Sequence, residues 1–242
     1  MPAYAWHVSL ACAEYRNSAR YGVINEQQKA TAVSGVRRAE WLFAIQAMAF
    51  VASLAFLPYP GDFLLKASPI ACLIVAVALA GAGRQQRLVI AALLFSAIGD
   101  ISLERGLFTP GLSAFLVAHL FYLGVFCREL RLTRSGAVAM LALAAYAVAT
   151  TAWLTPRLGD LAAPVYLYMA VLLAMACAAI SGRYNHPLVA TGAVLFTLSD
   201  SLIAIDRFGG PIPGARYAIM VLYYAAQYLL THDARHPRNN RQ

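Results

Sequence analysis

Two aspartates occupy positions where a carboxylate is expensive. Asp100 lies in the run LLFSAIGDISLE and Asp200 in VLFTLSDSLIAID, both inside long apolar stretches. A carboxylate in hydrocarbon costs at least about 2.5 kcal/mol, so it normally faces a cavity or a polar partner and marks a functional site. Asp100 falls twelve residues past Leu88 and Asp200 twelve past Leu188. At 1.5 Å per residue both sit ~18 Å along their apolar runs, a matched depth that two facing groups require. Two carboxyls sharing an oily layer do not both ionise; desolvation and mutual repulsion leave one acid and one base at neutral pH. The bland alternative is that each aspartate hydrogen-bonds a neighbouring helix as polar glue.

Other polar side chains share that depth. His119 and Tyr122 are three apart, and Tyr223 and Gln227 four apart, so each pair lies on one helix face. Tyr224 and Ser199 adjoin these positions. Lys66 precedes Pro69 near the expected start of a helix, where proline's fixed φ is tolerated. Glu104 and Asp206 fall near helix ends with Arg105 and Arg207, as secondary candidates. A buried histidine can be a satisfied core group, and a tyrosine near a helix end an interface anchor. No G-x-S-x-G elbow, H-E-x-x-H pair, Walker loop or cysteine-rich spacing occurs. Cys12, Cys72, Cys127 and Cys177 are far apart and read as small apolar fillers. His232 and His236 are four apart but lie in the basic tail. No metal or cofactor is expected; the available chemistry is acid–base.

The elements that must hold these groups follow from composition. Of 242 residues 61% are apolar and 12% charged, against about 25% charged in a soluble domain. The chain therefore reads as an all-α polytopic membrane protein. Eight apolar runs separated by short polar loops are expected at 39–57, 63–81, 88–104, 112–128, 135–155, 162–181, 188–206 and 214–231. Residues 1–38 form a polar extension without the pattern of a signal peptide, and 232–242 a basic, disordered tail. Of 19 Lys and Arg, 14 fall on the side shared by the two termini and 5 on the other. The positive-inside rule then puts both termini in the cytoplasm of a cell that holds the protein in its inner or plasma membrane. An even number of spans requires the same agreement. The net charge of +8 comes from these loops, so no nucleic-acid partner is expected.

The motifs together resemble the lysoplasmalogenase family of small eight-span membrane proteins, the bacterial YhhN-like proteins and their animal relatives. They are Lys66-x-x-Pro69, Phe95-Ser96-x-x-Gly99-Asp100, Gly111-x-x-x-Phe115-x-x-Ala118-His119-x-x-Tyr122, Gly192-Ala193-x-Leu195-Phe196-x-x-Ser199-Asp200 and Tyr223-Tyr224-x-Ala226-Gln227. The resemblance implies hydrolysis of the vinyl ether of a lysoplasmalogen drawn from the bilayer, giving a fatty aldehyde and a glycerophospho-headgroup. A vinyl ether is not electrophilic, so a serine nucleophile is useless against it. Protonation on carbon gives an oxocarbenium-like species that water captures, much as paired carboxylates serve glycosidases. Asp100 and Asp200 would share the acid and water-activating roles, in either order. His119, Tyr122, Tyr223, Tyr224 and Gln227 would position water and the ether oxygen. Lys66 would meet the phosphate, helped by Arg105 and Arg207. The competing reading is a proton-coupled transporter with a relay of Asp and His. An intramembrane aspartyl protease lacks support, since Ala97-Ile98 precede Gly99-Asp100 and no G-x-G-D forms.

Overall fold

Gly99, Gly111 and Gly192 set how closely the helices approach. The computed structural model describes residues 30–182 and 185–237. The expected extension lies outside the described residues as far as residue 29, and so does the end of the tail. Helix α1 spans Ala30–Phe56, ending in a 3-10 turn. It is followed by α2 (Asp62–Ala80), α3 (Arg84–Glu104), α4 (Phe108–Phe126), α5 (Arg134–Leu154), α6 (Ala162–Ser181), α7 (Pro187–Ala204), α8 (Ala215–Leu230) and a short α9 (His232–Arg235). The protein is all-α, and among the described residues seven helices, α1 to α7 with their flanking turns, are long and apolar enough to cross a membrane. The eighth, α8, has 16 residues, about 24 Å at 1.5 Å each and shorter than a hydrocarbon core of roughly 30 Å.

Helix α1 begins well before residue 39. Its polar first turns are helical because Val36 and Ala39 bury one face against Ala76 and Ala80 of α2. Further along, Phe43 stacks on Tyr228 at 5.5 Å and meets Tyr224 edge-on, so α1 also leans on α8. Pro69 lies two turns inside α2 rather than at its start. Its missing N–H leaves the Leu65 carbonyl without its helical donor, and the Ser68 hydroxyl donates to that carbonyl at 2.9 Å.

Helices α3 and α4 form a close hairpin. A Cβ on Gly99 would stand 2.6 Å from the Phe115 ring, and one on Gly111 2.6 Å from Leu103. The α7–α8 pair is as intimate, since a Cβ on Gly192 would meet the Leu230 nitrogen at 2.8 Å and the Ala226 carbonyl at 3.0 Å. Small residues permit such approaches where no hydrophobic drive exists between helices. Helix α6 joins the two pairs by packing on α4 and α7, while α5 sits outside, chiefly against α6.

The segment after α8 is ordered into α9 rather than a disordered tail. Arg235 is buried, donates to the Tyr228 carbonyl at 2.6 Å and pairs with Glu40 of α1. Burial pulls its guanidinium down to about 10, so it stays cationic at neutral pH and needs that counterion. Gln86 of α3 donates to the Ala234 carbonyl, and the His186 N–H at the start of α7 donates to Asp233. The first half of α1 and the starts of α3 and α7 therefore meet α9 at one end of the bundle. The aspartates lie toward the other.

Candidate active site

Asp100 is one turn from the end of α3 and Asp200 one turn from the end of α7, so the two parallel helices present them at similar height. Both are buried. The rings of Phe115, Phe196 and Tyr223, the last bonded to Asp100, are in mutual edge contact at 5.6–6.2 Å. No hydrogen bond joins the two carboxyls among the described residues; each has a tyrosine of its own.

The Asp100 half is a ladder along α8. The Tyr223 hydroxyl donates to Asp100 Oδ2 at 2.6 Å, Gln227 Nε2 donates to the Tyr223 oxygen at 3.3 Å, and Tyr122 of α4 donates to Gln227 Oε1 at 2.7 Å. Tyr223 and Gln227 are one helical turn apart, which is what lets the rungs line up. On the other side Lys66 Nζ lies 4.0 Å from Asp100 Oδ1 and 3.2 Å from Glu104 Oε2. Arg216, half exposed, pairs with Glu104 Oε1. Tyr224 does not reach a carboxylate. Its hydroxyl donates to the Lys66 carbonyl at 2.8 Å and ties α8 to the start of α2.

The Asp200 half is more apolar. Tyr168 of α6 donates to Asp200 Oδ2. His119 is fully buried, with its ring 5.4 Å from Tyr168 and 4.7 Å from Phe196. Among the described residues neither of its ring nitrogens makes a hydrogen bond of good geometry, and the Phe115 carbonyl one turn back on α4 acts on the ring. A neutral imidazole left so is costly, which marks it as a position built to meet something polar.

Two cavities converge here. One, a narrow cavity of about 40 Å³, is apolar except for Asp200 and Tyr168, and is walled by Leu112, Phe115, Val165 and Met169 among others. The second is a charged cleft lined by Lys66, Glu104, Asp206, Arg207 and Arg216. They share Leu103, Phe108 and Ile203 as a common wall. The cleft rim includes part of a π-helical turn, Ile205–Gly209, that continues α7. Such turns are frequent at functional sites; this one presents Asp206, which caps the Ile212 N–H at 2.7 Å, and Arg207, which lies 3.9 Å above the Phe108 ring.

The sequence-derived candidates fall into three groups. Asp100, Tyr223, Gln227, Tyr122, Lys66 and Glu104 form one connected cluster, and Asp200 and His119 belong to the adjoining half. Ser199 donates to the Ile219 carbonyl and so fastens α7 to α8. Arg105 lies over the Phe63 ring, outside both cavities, whereas Arg207 lines the cleft. Tyr168 and Arg216 were not singled out by sequence. Tyr168 sits near the start of a helix, where it reads as an interface anchor. Arg216, in the first turn of the last apolar run, reads as an ordinary helix-end charge. No three His, Cys, Asp or Glu side chains stand where they could hold a metal ion among the described residues.

Comparison with known proteins agrees with this arrangement in extent. No solved structure matches the chain. Among named proteins it is 35% identical over 175 residues to the lysoplasmalogenase of Mycobacterium bovis, covering 69% of this chain and 67% of that one. It is 35% identical over 175 residues to human lysoplasmalogenase TMEM86B, covering 71% and 74% of the two chains. With mouse lysoplasmalogenase TMEM86B it shares 38% over 169 residues, 69% of this chain and 72% of the relative. The model of the YhhN family matches residues 61–234, a stretch that holds both aspartates, both cavities and all of α9 but its last residue. The chain belongs to the YhhN family.

Proposed function

We propose that this protein is a membrane-embedded lysoplasmalogenase, hydrolysing the vinyl ether of a 1-alkenyl lysophospholipid to a fatty aldehyde and a glycerophospho-headgroup. The observation that carries the proposal is the charged cleft sharing a wall with an apolar pocket that contains Asp200. An amphiphile with one tail fits that division. Its headgroup phosphate lies in the cleft near Arg216 and Arg207, and its alkenyl group beside Asp200. Lys66, committed to two carboxylates, is less free to meet the phosphate than Arg216.

On this reading Asp200, on the pocket side, gives its proton to the vinyl carbon remote from oxygen. The adjacent carbon becomes the oxocarbenium. Asp100, connected to the cleft through Lys66, takes a proton from the water that attacks it. The hemiacetal then transfers its hydroxyl proton to the ether oxygen and separates into aldehyde and alcohol. Tyr223 and Tyr168 fix the two carboxyls, and His119 offers a ring nitrogen to the ether oxygen or the water. Each turnover moves one proton from Asp200 to Asp100, so the pair resets before the next. In this reading the shorter α8 crosses the plasma membrane together with the seven long helices, leaving both termini cytoplasmic and the site in the outer half.

The test is purified protein in detergent with a 1-alkenyl lysophospholipid, following aldehyde release. Asp100→Asn and Asp200→Asn each abolish turnover in a folded protein. Full activity in either variant removes that residue from the mechanism, and no activity in the unaltered protein removes the proposal. Chelator and serine-directed acylating reagents leave the rate unchanged.

The ladder from Arg216 to Tyr122 keeps a second reading in view, that of proton-coupled transport. It predicts proton flux in proteoliposomes under a pH gradient, lost in Tyr223→Phe. A sealed, flux-free proteoliposome with lipid hydrolysis decides for the enzyme.

A further inference from the structure

The apolar pocket beside Asp200 has a neighbour. Between α5 and α6 runs a groove lined by Ala147, Thr151, Tyr166, Met169, Ala170 and Leu173 among others. Met169 is a wall of both cavities. It lines the first cavity together with Tyr168 and Asp200, so the divider and the reacting group share one pocket. Methionine, unbranched with three rotatable bonds, makes a yielding partition. Helix α5 is the least buried of the candidate spans and packs chiefly on α6, so this wall opens onto the bundle's outer surface.

We infer that the lipid's alkenyl chain continues past Met169 and lies in the α5–α6 groove, so that this groove selects substrates by chain length. The inference rests on the reading above, since it takes the vinyl ether to be beside Asp200. A tail attached there and longer than the pocket has to leave it, and the Met169 side leads to a mostly apolar groove, with Thr151, Thr155 and Tyr166 among its walls, open to the bilayer. Lipid tails are as apolar as the groove, so the chain gains little free energy by moving from one to the other. The groove acts by shape, admitting or refusing the distal chain, rather than by affinity.

The experiment has a binding arm and a turnover arm. In the first, a saturated-ether lysophospholipid with a photoreactive group at its tail end is bound to full-length protein in detergent and irradiated. Labelling on α5 or α6 at Thr151, Ala170 or Leu173 supports the groove, and labelling confined to other helices overturns it. This arm needs no catalysis, so it still decides if the protein hydrolyses no vinyl ether. In the second, kcat/KM is measured for hexadecenyl and octenyl substrates. Ala170→Trp fills the groove from its exposed side without entering the core. It lowers the hexadecenyl value about tenfold or more, roughly 1.4 kcal/mol of discrimination, while the octenyl value holds. Met169→Ala, which lowers the divider, relaxes the chain-length dependence. Equal losses for both substrates in Ala170→Trp, or no loss in either, overturn the inference.

Discussion

Replacing Tyr223 by phenylalanine separates the chemistry of the ladder from its architecture. The hydroxyl donates to Asp100 at 2.6 Å and accepts from Gln227 at 3.3 Å, in a site where both partners are buried. Removing it deprives the Asp100 carboxylate of a charge-assisted bond worth about 1.5–3 kcal/mol. It also strands one Gln227 N–H. If the bond serves the transition state, kcat falls roughly 10- to 150-fold with little change in KM. The neighbouring Tyr224→Phe is the control. It removes a hydroxyl of the same kind, but one bonded to the Lys66 backbone. It therefore costs about 1 kcal/mol of stability and leaves kcat within a few-fold of the parent. The assay is aldehyde release against substrate concentration, with thermal unfolding in the same detergent for both variants. Parent-like kcat in Tyr223→Phe, or equal kcat losses in both variants, refutes the reasoning.

Tyr168→Phe removes the only hydroxyl seen bonded to Asp200 among the described residues and lowers kcat about tenfold or more, read by the same assay. Arg216→Gln frees one oxygen of Glu104 at the half-exposed rim; it raises KM for the charged lipid and makes that KM less sensitive to added salt. Gly192→Ala drives a Cβ to 2.8 Å from the Leu230 backbone nitrogen, so the α7–α8 pair separates and stability falls by about 1–3 kcal/mol, visible as a lower unfolding midpoint. Glu40→Gln leaves the buried Arg235 guanidinium without its counterion and destabilises by about 3 kcal/mol or more, with aldehyde release per folded molecule unchanged.

Much of the site was readable because hydrocarbon makes polar side chains conspicuous. Asp100, His119, Tyr122 and Gln227 stand out in apolar runs, and their spacing already places Tyr223 with Gln227 and His119 with Tyr122 on single faces. What spacing leaves open is which helix faces which. Tyr168 is as ordinary in sequence as Tyr166, two residues earlier on the same helix; only packing of α6 on α7 turns one onto Asp200 and leaves the other to bond Thr155 near the bundle end. Lys66 looked free to meet a phosphate because its two carboxylate partners lie on α3, beyond any local pattern. The helix ends were legible wherever a Gly or Pro broke an apolar run. They were not at α1, where polar residues hide a helical start, nor at Pro69, where a hydroxyl one residue earlier repairs the break.

The link between Asp100 and Tyr223 spans 123 positions, and α9 ties the end of the described chain back to α1, α3 and α7. During synthesis, therefore, the first six helices can be in the membrane while Asp100 still lacks the hydroxyl that holds it. On the proposed reading, a ribosome stalled before α8 leaves a bundle that cannot complete hydrolysis. Water activation at Asp100 is withheld until the final clasp has formed.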